Sequence, residues 1–282
     1  MSSTPLAFLD GQFVPAADAS LPVEDLGLQR GYGIFDYLRV SGRVPLFLED
    51  HLDRFLRSAD RMRLPVSQDR QCLARIIHEV IDSEVLTVSG IRILLTGGPS
   101  VDGYTITSPR MAVIRQPLSA PLLQLPEVGI RLFSYAFQRQ LSSVKTTDYL
   151  MAVWLQPWLK EQRGDDILYH DGGFVRECPR SNIFLVDSEG VLVTPGDGML
   201  AGVTRKQVLA VADRLGIPCQ VRDVRLEEMY RAAEVFITSS TRRIVPVSQI
   251  DGRAIPSPGP VTRRLWDAFL AHEQNYAQTQ AR

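Results

Sequence analysis

At 282 residues, 45% of them hydrophobic and 22% charged, the chain is long enough for two compact domains and has the composition of a globular protein. Its 31 basic and 32 acidic residues leave a net charge of −1, and no Lys/Arg cluster offers a footprint for nucleic acid or an anionic membrane. Three cysteines without CxxC spacing and four histidines without ligand-like pairing argue against a disulfide framework and a metal centre. Residues 1–5 carry no signal-peptide pattern, and no apolar run is long enough to span a bilayer, so a cytoplasmic enzyme is expected.

Asp10-Gly11, between two short apolar runs, reads as the turn of a hairpin over 8–14, because Asp-Gly accepts the positive φ angles of a tight primed turn. A second hairpin pairs 34–40 with 44–47 across Ser41-Gly42. Residues 48–62 carry Leu52, Phe55, Leu56, Ala59 and Met62 on one helical face, and Pro65 ends that helix. Ser67 reads as the cap of the next, whose stripe is Leu73, Ile76, Ile77, Val80 and Ile81. Strands follow at 91–96 and 110–115. Between 116 and 126, Pro117, Pro121 and Pro126 interrupt every pattern and mark an interdomain linker, so the expected domains are 1–115 and 127–282.

The second half opens with a strand at 129–133 and a helix at 149–162. A hairpin turns at Asp171-Gly172, and a further strand pair covers 182–186 and 191–194. A helix from Thr204 stops at Gly216, the residue favoured just past a helix C-terminus. A strand at 234–238 and a helix at 261–272 complete the chain. Hairpin-linked strands interleaved with helices imply α+β domains rather than a doubly wound sheet.

Chemistry concentrates at two places. Lys145 is the only lysine or arginine in Ser143-Val144-Lys145-Thr146-Thr147, and Glu177 lies shortly after the Asp171-Gly172 turn. Lysine forms imines, and burial lowers its pKa enough to make it nucleophilic. A fixed carboxylate suits the charged ring nitrogen of a pyridine cofactor.

Six landmarks occur in order: Gly31-Tyr32-Gly33-Ile34-Phe35, His51-Leu52-Asp53-Arg54-Phe55, Lys145-Thr146-Thr147-Asp148-Tyr149, Glu177 with Asn182 and Phe184, Gly202-Val203-Thr204-Arg205, and Phe236-Ile237-Thr238-Ser239-Ser240-Thr241. With them the chain resembles, over nearly its whole length, the class IV aminotransferases. These fold-type IV pyridoxal-phosphate enzymes include branched-chain aminotransferases, D-amino-acid aminotransferases and aminodeoxychorismate lyase. The resemblance implies a small N-terminal α/β sandwich-like domain, a larger C-terminal pseudo-barrel α/β domain, and a homodimer with shared active sites. It implies pyridoxal 5′-phosphate bonded to Lys145, whose freed amine then shuttles a proton. Glu177 meets the ring nitrogen and Tyr149 the ring oxygen. Arg54, Val203, Thr204, Ser240 and Thr241 hold the phosphate, and Asn182 orders the loop behind Glu177.

The compact step from Lys145 to Tyr149 is similar to the D-amino-acid and lyase branches. Gly97-Gly98-Pro99-Ser100 stands where D-amino-acid members commonly carry an arginine and a histidine for the substrate carboxylate. A buried carboxylate needs a cationic partner or several donors, and Arg30 and Arg180 are the candidates, with Tyr32 and Phe35 walling the pocket. The expectation is transfer of an amino group between a D-amino acid and a 2-oxo acid. A branched-chain L-amino-acid or chiral-amine aminotransferase, aminodeoxychorismate lyase, and a non-enzymatic binding module remain the alternatives.

Overall fold

The computed structural model describes residues 4–281. Contacts group the chain into two units: one running to Ala120 and including Val144–Asp148 and the segment from Asn275, the other Pro121–Ser143 with Tyr149–Gln274.

The first unit has six strands, β1 (Leu6–Leu9), β2 (Gln12–Pro15), β3 (Gly33–Ser41), β4 (Val44–Pro45), β5 (Val88–Thr96) and β6 (Arg110–Pro117), in the order β2-β1-β6-β5-β3-β4. All neighbours are antiparallel. Its helices are α1 (Leu26–Gln29), α2 (Leu48–Arg61) and α3 (Arg70–Asp82). Side chains alternate across a strand, so Ile34, Leu38 and Val40 share one face with Ile91, Ile93 and Leu95. They form one core with Leu52 and Phe55 of α2 and Leu73, Ile77 and Ile81 of α3. The cap of α3 is Asp69, whose carboxylate accepts from the Cys72 N–H at 2.7 Å, and not Ser67. An aspartate at this position satisfies an otherwise unpaired first-turn donor.

Residues 145–147 attach to β3 as a short extra edge. The Phe35 N–H donates to the Lys145 carbonyl at 3.0 Å, and the Thr147 N–H donates to the Gly33 carbonyl at 2.9 Å.

The second unit holds β7 (Ile130–Ala136), α4 (Leu150–Trp154), α5 (Gln156–Glu161), β8 (Asp166–Asp171), β9 (Phe174–Val175), β10 (Asn182–Val186), β11 (Leu192–Pro195) and α6 (Val203–Arg214). It continues with β12 (Cys219–Arg222), α7 (Leu226–Met229), β13 (Glu234–Ser239), β14 (Arg243–Ile250), β15 (Arg253–Ala254) and most of α8 (Pro260–Gln280). Nine strands form a curled sheet in the order β12-β11-β10-β13-β14-β7-β8-β9, with β15 on β14. Parallel pairs (β11–β12, β14–β7, β7–β8) mix with antiparallel ones. The core gathers Leu132, Leu168, Ile183, Leu185, Val235, Ile237 and Val247. Two mixed units of this kind bear out the α+β expectation.

The helix expected over 149–162 is two helices, breaking at Leu155. Pro157 lacks an N–H and its ring crowds the carbonyl four residues back, so the helix restarts with proline in its first turn. α6 ends as expected, with Gly216 at φ +66. α8 runs past the expected stop at 272. Glu273 pairs with Arg243, and the Tyr276 ring packs on Phe47, contacts that extend the helix beyond its apolar stripe. Among the described residues, no helix is long and apolar enough to cross a membrane.

Candidate active site

Lys145 is half-buried in the first unit, and its Nζ lies 4.6 Å from the centroid of the buried Phe35 ring. The Arg92 guanidinium, on β5, lies 4.7 Å from the same ring and 5.6 Å from that of Tyr37. Arg92 has no carboxylate partner among the described residues. Cation–ring contacts of this kind hold the charge without neutralising it.

Behind this row, on the helix-facing side of β3, Asp36 is fully buried and takes four donors. Arg54 reaches it twice, Nε to Oδ2 and Nη2 to Oδ1, both at 2.8 Å. His51 Nδ1 lies 2.6 Å from Oδ1, and the Tyr37 N–H donates at 2.8 Å. Burial alone would raise the Asp36 pKa, but the charges and hydrogen bonds of Arg54 and His51 more than offset it and hold the carboxyl well below its usual range. Burial pushes His51 down, against the pull of Asp36, and the Arg54 and Lys145 charges add to the fall. A neutral His51 therefore donates from Nδ1 to Asp36. The Nη1 of Arg54 has no partner among the described residues, so the fork is locked on one side and open on the other.

In the second unit, Glu177 is buried two residues beyond β9. Arg139 grips its Oε1 through Nε at 2.8 Å and Nη2 at 2.7 Å, and the Leu200 N–H donates to Oε2 at 3.1 Å. Asn182 donates from Nδ2 to the Leu200 carbonyl at 2.7 Å, which ties the 199–202 loop to Glu177. The same asparagine abuts the start of α6. A Cβ on Gly202 would lie 2.0 Å from Asn182 Oδ1, so only glycine allows this approach.

No side chain caps α6, and its first-turn N–H groups are left to meet an anion together with the helix dipole. Val203 and Thr204 are buried there, and Arg205 turns away to Thr194 and the Pro195 carbonyl. Ser240 and Thr241 lie in the turn joining β13 to β14.

Several expected residues stand differently. Tyr149, expected to open a helix, is the residue before α4, and 145–148 ahead of it is extended and irregular. Tyr32 gives its hydroxyl to the Met62 carbonyl and packs on the first unit's core. Arg30 and Arg180 are exposed, with Arg30 stacked on Tyr104 at 5.8 Å. Three side chains escape the reading of the sequence: Arg92, Arg139 and Asp36. Asp36 carries a signal, an acid alternating into an apolar strand. The two arginines carry none.

A family model described as "Amino-transferase class IV" matches residues 33–250. The chain belongs to the class IV aminotransferases. It is 32% identical to a Methanocaldococcus jannaschii protein whose name assigns it to the branched-chain-amino-acid aminotransferases, over 93% of this chain and 94% of that one. A D-alanine aminotransferase of Staphylococcus epidermidis is 25% identical over 96% and 98%. Among solved structures, the branched-chain aminotransferase of the thermophilic archaeon Thermoproteus uzoniensis, with norvaline, superposes with a TM-score of 0.86 at 27% identity, covering 97% of each chain.

As a class IV aminotransferase, the protein works with pyridoxal 5′-phosphate. Taken unit by unit, the residues present suit that group: in the first, a half-buried lysine amine and an open guanidinium edge; in the second, a buried carboxylate held by arginine and an uncapped helix start where Gly202 lets Asn182 approach closely.

Proposed function

We propose that the protein transfers an amino group between a D-amino acid and a 2-oxo acid, with Lys145 as the covalent and proton-moving residue. The observation that carries this reading is Lys145 itself, held by backbone pairing to β3 with its amine over Phe35. The bound cofactor supplies an electron sink for the pair left when the substrate Cα–H bond breaks. With the cofactor bound, Lys145 would be the residue that takes that proton from Cα and carries it for return. Glu177 holds the proton on the ring nitrogen, with Arg139 and Leu200 keeping the carboxylate in place. Tyr149 donates to the ring oxygen. Arg54, Val203, Thr204, Ser240 and Thr241 take the phosphate, and Asn182 orders the loop behind Glu177.

The substrate carboxylate needs a cation. Arg92 is the arginine that shares the Phe35 ring with Lys145, and it takes precedence over Arg180 in this reading. Arg30 is kept as the second arm, with exposed apolar Val23, Leu28, Val101 and Tyr104 around it suiting the surface of a second copy. The compact Lys145–Tyr149 step and the D-alanine aminotransferase relative support D-amino acids. The Methanocaldococcus relative and the Thermoproteus structure favour branched-chain L-amino acids as the second reading.

The test is borohydride reduction with the cofactor present, followed by peptide mapping, and then kinetics on D- and L-amino acids. The label is expected on Lys145, and amino transfer from D-alanine to 2-oxoglutarate is expected. Arg92→Ala should lower kcat/KM about 100-fold or more, the cost of leaving a charged group unpaired, and Arg180→Ala should change it little. A label elsewhere rejects the reading, and turnover of L-leucine alone replaces it with the second.

A further inference from the structure

We propose that Arg242 is a positioning residue that clips the Ser240–Thr241 turn to the turn behind Glu177. The proposal rests on the reading of those two turns as phosphate and ring-nitrogen subsites.

Three residues, Ser240 to Arg242, connect β13 to β14, since Ser239 pairs with Arg243 across the hairpin. The Arg242 N–H donates to Ser239 Oγ at 3.2 Å, which folds the arginine back over its own turn. Its Nη2 donates to Asp166 Oδ2 at 2.9 Å and to Ser181 Oγ at 3.2 Å. Both acceptors belong to buried residues. Ser181 closes the turn that follows Glu177: the Cys178 N–H donates to the Ser181 carbonyl at 2.9 Å, and the Ser181 N–H donates back to the Cys178 carbonyl at 3.2 Å. One guanidinium therefore joins the 240–242 turn, the first residue of β8 and the Glu177 turn.

The other side of the hairpin is fixed as well. Arg243 has φ +61, a left-handed conformation that a glycine would adopt freely. An arginine stands there for its side chain, which pairs with buried Glu273 at 2.6 Å and donates to the Leu122 carbonyl. Backbone strain at a turn held by side chains on both flanks points to a shape that is imposed.

A ligand that spans both subsites is sensitive to their spacing, because its two ends are covalently fixed relative to each other. Fragments that occupy one subsite each are not. Both hydrogen bonds leave from one nitrogen, Nη2, so a lysine ammonium, with three donors on a shorter and more flexible stem, can replace them in part.

The experiment uses the full chain freed of cofactor, as wild type, Arg242→Ala and Arg242→Lys. Affinities are measured for pyridoxal 5′-phosphate, for pyridoxal without phosphate, and for inorganic phosphate, together with the melting temperature. For Arg242→Ala we expect the intact cofactor to bind about tenfold more weakly while each fragment changes less than about twofold. Arg242→Lys should recover part of the loss, with melting temperatures close to wild type. Inorganic phosphate weakened by the same factor as the cofactor would make Arg242 an anion ligand and overturn the proposal. All three weakened together with a lowered melting temperature, or none changed, would overturn it too. A wild-type chain that fails to bind pyridoxal 5′-phosphate would instead sink the reading beneath it.

Discussion

Asp36 sits at the middle of β3 with no exposure to solvent, and its four donors come from two elements, α2 and its own strand. Burying a carboxylate without such partners would cost several kcal/mol. The arrangement also determines how the fold responds to acid. Both depressed groups, Asp36 and His51, bind fewer protons folded than unfolded. Stability present above the unfolded pKa is therefore lost as pH falls, starting near 6.5 for His51 and below about 3.8 for Asp36. Melting temperature should fall from pH 7 to pH 5 in the wild type, and His51→Gln should flatten that slope. An unchanged slope in the variant would assign the loss to other groups.

Among the elements, the start of α6 is tied to Glu177 through Asn182 and the Leu200 N–H. Asn182 touches Gly202 and holds the Leu200 carbonyl. Gly202→Ala forces Asn182 aside, because the added methyl would overlap Oδ1. The Leu200 hydrogen bond is then strained, and with it the donor to Glu177. Cofactor affinity, followed by its visible absorbance on titration, should fall about tenfold, with a melting temperature lowered by a few degrees, on the order of 1–2 kcal/mol. Full affinity in this variant would show that the close approach has no bearing on the site. Helix ends and turns of this kind are partly legible in the sequence. Gly202 before an apolar-periodic segment marks the α6 start. The break at Leu155 and the Asp69 cap escape a reading that weighs the apolar stripe above Pro157 and Asp69.

Over the chain as a whole, the exposed apolar side chains of the 23–30 and 97–104 segments are a liability in a single copy. Asp25 bridges to Pro99, and Tyr104, which is 81% exposed, carries the Arg30 guanidinium, so the two segments lie side by side. Contiguous exposed apolar surface marks an interaction site. Light scattering should give twice the chain mass of 31.5 kDa, and Leu28→Asp should shift the species to a monomer with lowered activity. A monomeric wild type with full activity would remove the role of a second copy.

Many of the elements, and the family, follow from the order of residues alone, while short or polar ones such as α1, β12, α7 and β15, and also β14, do not. Local periodicity, turn chemistry and motif order are short-range properties, so the β3 and β5 alternation, the α2 and α3 stripes, and Lys145 with Glu177 can be read without coordinates. Which side chain partners which is a matter for the folded chain. The proline-rich stretch at 116–126 suggests one crossing between domains, while contacts return residues 144–148 and the end of α8 to the first unit. Arg139 on Glu177 spans 38 positions, and Arg242 on Asp166 spans 76. Such pairs leave no local trace, because a lone arginine has the same propensities whether it ends in water or on a buried acid. Its fate depends on the sheet that brings distant segments side by side.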